Sequence, residues 1–401
     1  MKNISVMKNT VQEYAWGSFT AIAELLGATS PAKTPQAELW MGAHPKAPSM
    51  VTCDGKWISL LELIEKTPDH ILGKKVAEKF DNRLPYLFKV LAAAKPLSIQ
   101  AHPSIDQAKQ GFERENRQGI PIDAYNRNYK DDNHKPECIC AHTLFWALSG
   151  FRKISSIVGL MEKICPQALK KQLDTLRRQQ SPVELKNFFQ TLMTMNYKQQ
   201  TKIIAHAVSD AKKFTDDDPA YKWMVNLHKE YPADIGVFSP ILLNLICLEP
   251  GQAMFLPAGE LHAYLDGVGI ELMANSDNVL RGGLTPKYID MPELLNILNF
   301  EEREINILET KPINECEWVY ASYAEEFVLS IIHLKQGIRY NSPTHRSVEI
   351  LLCTNGKATI SDLGKNHEVA INKGKSILVP AGVTKYSLKG NATLYKAAVP
   401  L

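Results

Sequence analysis

The sequence predicts a mainly β protein with a helical insertion: two related β-barrels plus an α-helical domain. Three observations carry this expectation. Strand-like runs fill the first 151 residues and resume near residue 236. Between them, residues 152–235 switch to helical spacing. A Pro/Gly turn between strand-like runs also occurs twice, at a constant offset of 123 residues. At 401 residues the chain exceeds a typical single core. The expected division is 1–151 for the first part of one barrel, 152–235 for the insertion, 236–300 for the rest of that barrel and 301–401 for the second.

In the first segment the clearest strands are 84-LPYLFKVLAAAKPLSIQAHP-103 and 137-ECICAHTLFWALSGF-151. Along 97-LSIQAHP-103 the residues alternate, so Ser98, Gln100 and His102 share one strand face. The polar stretch 111–137 reads as a long ordered loop, a kind of segment that is usually functional. In the insertion, Ile154, Ile157, Val158, Met161 and Ile164 recur at helical spacing. Ser181-Pro182 with Glu184 forms a helix start and capping box, and Asp218-Pro219 starts another helix. Later strands are expected within 241–259, 326–334, 347–360 and 393–399.

The repeat is specific in its residues. Gly251, Pro257, Gly259 and His262 are matched by Gly374, Pro380, Gly382 and Lys385. Only the first copy ends in histidine, so only the first barrel is expected to hold a metal.

Composition excludes several classes. The chain is 45% hydrophobic and 22% charged, with a formal charge of +3 and no basic run that marks a nucleic-acid surface. No apolar stretch is long enough to span a membrane, and the start lacks a signal-peptide core. Seven scattered cysteines, with only Cys138 and Cys140 close together, read as reduced thiols in a cytoplasmic protein.

The Gly-x5-Pro-x-Gly-x2-His pattern resembles the second metal motif of cupin (jelly-roll) barrels, with Asp266 where an Asn is usual. The matching first motif is Gln100-x-His102, with its glutamate displaced beyond the long loop to Glu137. Gln100, His102, Glu137 and His262 then form a nitrogen and oxygen donor set that suits Zn²⁺, and other divalent metals too. Lys135 lies two residues before Glu137, on the same face if the chain is extended. Burial and a metal nearby favour its neutral amine, which fits it to act as a base. Arg281 stands before Gly282-Gly283, where it can approach a phosphate or oxyanion, or pair with Asp277.

These segments resemble type I phosphomannose isomerases of the enterobacterial kind. The resemblance rests on 13-EYAWGS-18, 38-ELWMGAHP-45, 98-SIQAHP-103, 126-NRNYKDDNHKPE-137, 256-LPAGELHAYLDG-267 and 271-ELMANSDNVLRGGLT-285. It implies interconversion of mannose 6-phosphate and fructose 6-phosphate, with one Zn²⁺ per chain on Gln100, His102, Glu137 and His262. It also implies Arg281 in the active site and a monomer. The expected proton carrier between C1 and C2 is Lys135 with Asp277, through a cis-enediol, with His134 assisting ring opening. Lys89 and His44 are expected to line the pocket, and Trp16 to pack. Two other classes stay open: a non-haem-iron oxygenase using His102, Glu137 and His262, and a non-catalytic sugar-binding cupin.

Overall fold

A computed structural model describes residues 3–53, 55–365 and 367–401. Two antiparallel sheets and a helical layer build it, as the mixed periodicities predict. In the first sheet the strand order is Leu243–Leu248, Phe145–Phe151, His262–Ala274, Tyr86–Ala93, Glu38–Gly42 and Thr10–Gln12. Ile99–Ala101 and Glu137–Ala141 pair with different stretches of the long His262–Ala274 strand, which therefore turns from one wall to the next. A bulge makes that turn. Tyr264 pairs with Ala147 and Asp266 with Trp146, leaving Leu265 as the extra residue. The shift reverses the alternation, so His262 and Tyr264 before it and Glu271 and Met273 after it all face inward. Gly267 follows at φ 118°, and a Cβ there would lie 2.4 Å from the Leu144 carbonyl oxygen.

The second sheet runs Thr310–Pro312, Glu317–Tyr320, Val328–Leu334, Tyr386–Ala398, Glu349–Asp362 and Ser376–Val379. It continues through Ser5–Lys8, Met50–Cys53 and Lys56–Ser59, so the N-terminal segment supplies three of its strands. The repeat is visible in the elements themselves. Ala253–Leu256 and His262–Ala274 in the first sheet correspond to Ser376–Val379 and Tyr386–Ala398 in the second. A shared apolar core joins the two sheets, including Phe88, Leu272, Tyr320, Leu352 and Tyr395.

The helical layer follows its sequence signals. Ile154–Ile164 buries all five predicted apolar residues; removing one such side chain from a packed core costs about 2–5 kcal/mol. Ser181 caps Pro182–Thr194 by accepting from the Glu184 N–H, but the Glu184 side chain does not bond back, so only half of the expected capping box forms; Asp218 caps Pro219–Glu230 by accepting from Ala220 N–H.

Two boundaries differ from expectation. Residues 111–117 are not loop but the end of a helix, Ile105–Arg117, started by a complete Ser104/Gln107 capping box. Its Gly111 is required by packing, because a Cβ there would sit 2.4 Å from the Tyr129 ring. The rest of the stretch is an ordered loop. Around residue 236, Ile235–Phe238 and Ser239–Leu242 are short helices, and strand resumes only at Leu243.

Candidate active site and metal centre

His102, Glu137 and His262 converge at the inner end of the first barrel. All three are buried, and their donor atoms lie within 4.8 Å of one another. The strands explain this convergence. Gln100 pairs across the ladder with His262 on one side and Arg281 on the other. Directly paired residues project to the same sheet face, so these three form one row. Glu137 opens its strand immediately after Pro136, where a missing N–H costs no ladder bond.

The tautomers of both histidines are fixed. His102 Nδ1 lies 2.8 Å from the Asn278 carbonyl and His262 Nδ1 lies 2.9 Å from the Glu260 carbonyl. A carbonyl only accepts, so each Nδ1 carries the proton and each Nε2 presents a lone pair. Neither buried Nε2 has a hydrogen-bond partner of suitable geometry. Yet they lie 3.1 and 3.6 Å from the two oxygens of Glu137. Lone pairs turned to a carboxylate at such distances are suited to sharing a cation with it. Metal-bound histidines show this same outward N–H bond to a carbonyl. The donor set therefore fits a divalent metal.

Electrostatics agree. Burial pushes His102 down to about 4, and the Lys135 charge adds to the effect, so its ring is neutral as a metal requires. Burial alone would raise Glu137, but Lys135 and the two histidines hold it well below the usual carboxylate range. Lys135 Nζ is 2.7 Å from one Glu137 oxygen and Tyr264 donates to the other at 2.9 Å.

Beside the triad runs a second inward row. Lys89 lies 2.9 Å from Glu271 and 3.4 Å from Glu38, all three buried. Burial opposes the charge on Lys89, but Glu271, Glu38 and Glu137 outweigh it and raise its pKa. Around the centre, three carboxylates (Glu38, Glu137, Glu271) face two ammonium groups (Lys89, Lys135). The excess is negative and suits a bound cation.

The remaining predicted residues are placed as follows. Asp277 has partners other than Lys135 and Arg281: it lies 2.7 Å from Lys46 and 3.6 Å from the buried His44. Burial would raise its carboxyl, but His44 and Lys46 hold it well below its ordinary range. His134 Nε2 lies 2.5 Å from Glu326, a residue of the second barrel. Trp16 packs against the apolar part of the first barrel, as expected. Cys138 and Cys140 are free and buried.

Several site features escape the motif reading. Arg281 is half-buried, which lowers its pKa, and it forms no ion pair among the described residues. Lys287 is lowered by burial and then by the charges of Arg281 and Lys130, so these three cations lie near enough to act on one another. Only Arg281 stood out in the sequence; a lysine six residues on carries no local signal. Asn278, fully buried, accepts from Lys130 and Asp131 N–H and donates to the Asp131 and Asn133 carbonyls. Its own carbonyl fixes His102. It thereby ties the long loop to the metal centre.

A model of the type I phosphomannose isomerase catalytic domain matches residues 4–154, and one of that family's helical insertion domain matches 163–243. This chain belongs to the type I phosphomannose isomerases. The mannose-6-phosphate isomerase of Escherichia coli is 41% identical over 390 residues, covering 96% of this chain and 97% of that protein. The rat enzyme of the same name is 33% identical over 424 residues, with 96% of each chain covered. A variant of Salmonella typhimurium phosphomannose isomerase superposes with a TM-score of 0.92 at 38% identity, covering 99% of this chain and all of that one. A zinc-bound mannose 6-phosphate isomerase structure gives 0.91 at the same identity and coverage. The family's chemistry favours the isomerase reading over the oxygenase and the non-catalytic cupin.

Proposed function

We infer that this isomerase interconverts mannose 6-phosphate and fructose 6-phosphate by moving one proton between C2 and C1. The observation that carries the reading is the pair of lone-pair-bearing Nε2 atoms facing Glu137, in a row with an unpaired arginine. Gln100, His102, Glu137 and His262 would hold one Zn²⁺ per chain. When bound, the ion supplies Lewis-acid stabilisation of the negative oxygen that develops as the proton leaves carbon.

The protein's own groups do the rest. Arg281, Lys287 and Lys130 are the cations available to the substrate phosphate, and anchoring that end fixes C1 and C2 toward the triad. Lys135, in its amine form once its own proton has been released, would take the proton from C2 and return it to C1. On loss of that proton the C2–H bonding pair becomes the C1–C2 double bond of a cis-enediol, and the C1 carbonyl pair moves to oxygen. A second proton passes from O2 to O1, and as the double-bond pair takes up the Lys135 proton at C1 the O2 pair re-forms a carbonyl at C2, giving the ketose. Asp277, in contact with His44 and Lys46, is read as holding them at the pocket wall, in place of the expected share in the proton transfer. His134 is the candidate for ring opening. Lys89 is assigned to balancing Glu38 and Glu271. The reading includes a cytoplasmic monomer that takes a sugar phosphate and binds neither nucleic acid nor membrane. Among the described residues no helix is long and apolar enough to cross a membrane.

A coupled assay on mannose 6-phosphate, before and after chelation, tests the reading when metal content is measured on the same sample. Turnover that falls with chelation and returns with zinc supports it. A metal-bound protein inert on this substrate would refute it. Lys135→Ala is expected to lower kcat by roughly 10²–10⁴ with metal content unchanged; near-normal turnover would remove Lys135 from the proton path.

A further inference from the structure

A cavity of about 550 Å³ lies between the two barrels, away from the metal centre. Its floor includes Ala141 and His142, at the opposite end of the strand that begins with Glu137. Four residues of strand separate Ala141 from Glu137, or roughly 13 Å. Its wall is the face of the second sheet turned away from that barrel's own interior. Trp318, Ile331 and Tyr395 stand side by side there, and His333 pairs with Thr393 in the next row. The intervening Ile332 and Leu394 point the other way, into the barrel core.

The lining has a consistent chemistry. No lysine, arginine, aspartate or glutamate is part of it. Trp318 offers an indole face beside His333, with ring centroids 5.6 Å apart. Polar groups ring it: the Asn355 amide, the Thr393 hydroxyl and the His142 imidazole. Tyr395 is 3% exposed, and its hydroxyl receives only a long contact from the Cys140 thiol at 3.9 Å. The Cys140 sulfur is a weak partner at that distance, so the Tyr395 hydroxyl keeps capacity for a better one. Tyr320, by contrast, is satisfied by donating to the Gly251 carbonyl at 2.8 Å.

We propose that this inter-barrel cleft is a second binding site, for a neutral polyhydroxylated ligand of mono- or disaccharide size. The volume falls in the range of small-molecule sites. An uncharged lining neither attracts nor neutralises a phosphate, so the phosphorylated substrate is not the occupant. The apolar C–H face of a pyranose packs on an indole, while its hydroxyls pair with amide, imidazole and hydroxyl groups. A sugar hydroxyl would also accept from Tyr395 in place of its weak sulfur contact.

The test uses the full-length metal-loaded enzyme with two probes, methyl α-mannopyranoside and maltose, and gluconate as a charged control. The methyl glycoside lacks both a phosphate and a ring that can open, so it is a poor ligand for the metal centre. Saturable binding, followed by tryptophan fluorescence and saturation-transfer NMR, is expected for at least one neutral probe and not for gluconate. Trp318→Ala should abolish it. Tyr395→Phe and the surface change Asn355→Ala should each weaken it roughly three- to tenfold. Arg281→Ala should leave it unchanged, and turnover on mannose 6-phosphate should persist in Asn355→Ala and Tyr395→Phe. Three results would each overturn the proposal: no saturation with either neutral probe, binding indifferent to both Asn355→Ala and Tyr395→Phe, or equal binding of gluconate.

Discussion

The two barrels repeat one strand–turn–strand unit, yet their interiors solve the problem of buried charge in opposite ways. In the first, two histidine Nε2 lone pairs turn toward the Glu137 carboxylate, which also meets Lys135. In the second, Lys396 lies 2.5 Å from Glu317 and 3.6 Å from Glu349, and Arg346 lies 3.4 Å from Glu349. Tyr340 donates to Glu317 at 2.9 Å. Two carboxylates there meet two cations. Burial opposes the Lys396 charge, but Glu349, Tyr340 and Glu317 outweigh it and hold its pKa above the ordinary lysine range. The comparison teaches that the repeat supplies a shape, while the charged residues inside decide whether a metal is needed. In the second interior the cations match the carboxylates in number; in the first the carboxylates outnumber the ammonium groups, and two histidine donors turn to one of them.

Removing the difference at its source should have the largest effect. Glu137→Gln keeps the shape but removes the anion that two nitrogen donors share. Turnover is expected to fall by roughly 10³ or more, beyond the 10–100-fold typical of outer-shell changes. Metal analysis of the purified variant should show the loss together with activity. Full metal occupancy in Glu137→Gln would break the contrast between the barrels.

The second barrel should respond in stability rather than turnover. Lys396→Met leaves buried Glu317 with the Tyr340 hydroxyl and no cation, and Glu349 with Arg346; loss of one partner from a buried ion pair costs about 3–5 kcal/mol. Denaturant unfolding measures this, and adding Glu317→Gln and Glu349→Gln should recover part of it. Metal content should be unchanged. A variant that loses metal as readily as it loses stability would show that the two interiors are not independent.

A smaller effect is expected at the cationic cluster. Lys287→Ala removes one charge from the Arg281 neighbourhood and should raise KM for mannose 6-phosphate roughly tenfold, with kcat less affected. An unchanged KM would leave the phosphate to Arg281 and Lys130.

How much of this was legible in the sequence depends on whether a feature is local. Helix starts at Ser181 and Asp218 and the repeated Pro/Gly turn are local, and they hold; the strand at Gln100 is shorter than expected, Ile99–Ala101, with His102 just past its end. The helix through Gly111 was hidden because a glycine in a polar run reads as loop, and its reason, the Tyr129 ring, lies eighteen residues away. The triad's donors were visible as motif residues, but their tautomers were not, because these depend on carbonyls of Asn278 and Glu260. Asp277 shows the limit most clearly. Its nearness in sequence to Arg281 made that pairing an even choice, whereas the fold brings Lys46 to it from 231 residues away.

The link between the barrels gives the smallest effect. Glu326 belongs to the second barrel, yet it holds His134, the neighbour of Lys135. Burial alone would raise the Glu326 carboxyl, but the His134 bond and charge outweigh it, aided by Lys79, and its pKa is lowered. A carboxyl lowered on folding contributes stability that is complete above its unfolded value, near 4.3, and is lost as pH falls through the folded value. Glu326→Gln should therefore cost about 1–2 kcal/mol at neutral pH, and the gap to wild type should narrow on acidification below that range. Metal-free samples of both proteins remove the separate effect of losing the ion in acid. A gap that stays constant from neutral to acid pH would mean that Glu326 supports His134 by packing rather than charge. A gap that closes, with kcat lowered at neutral pH, would make the second barrel part of the site's construction.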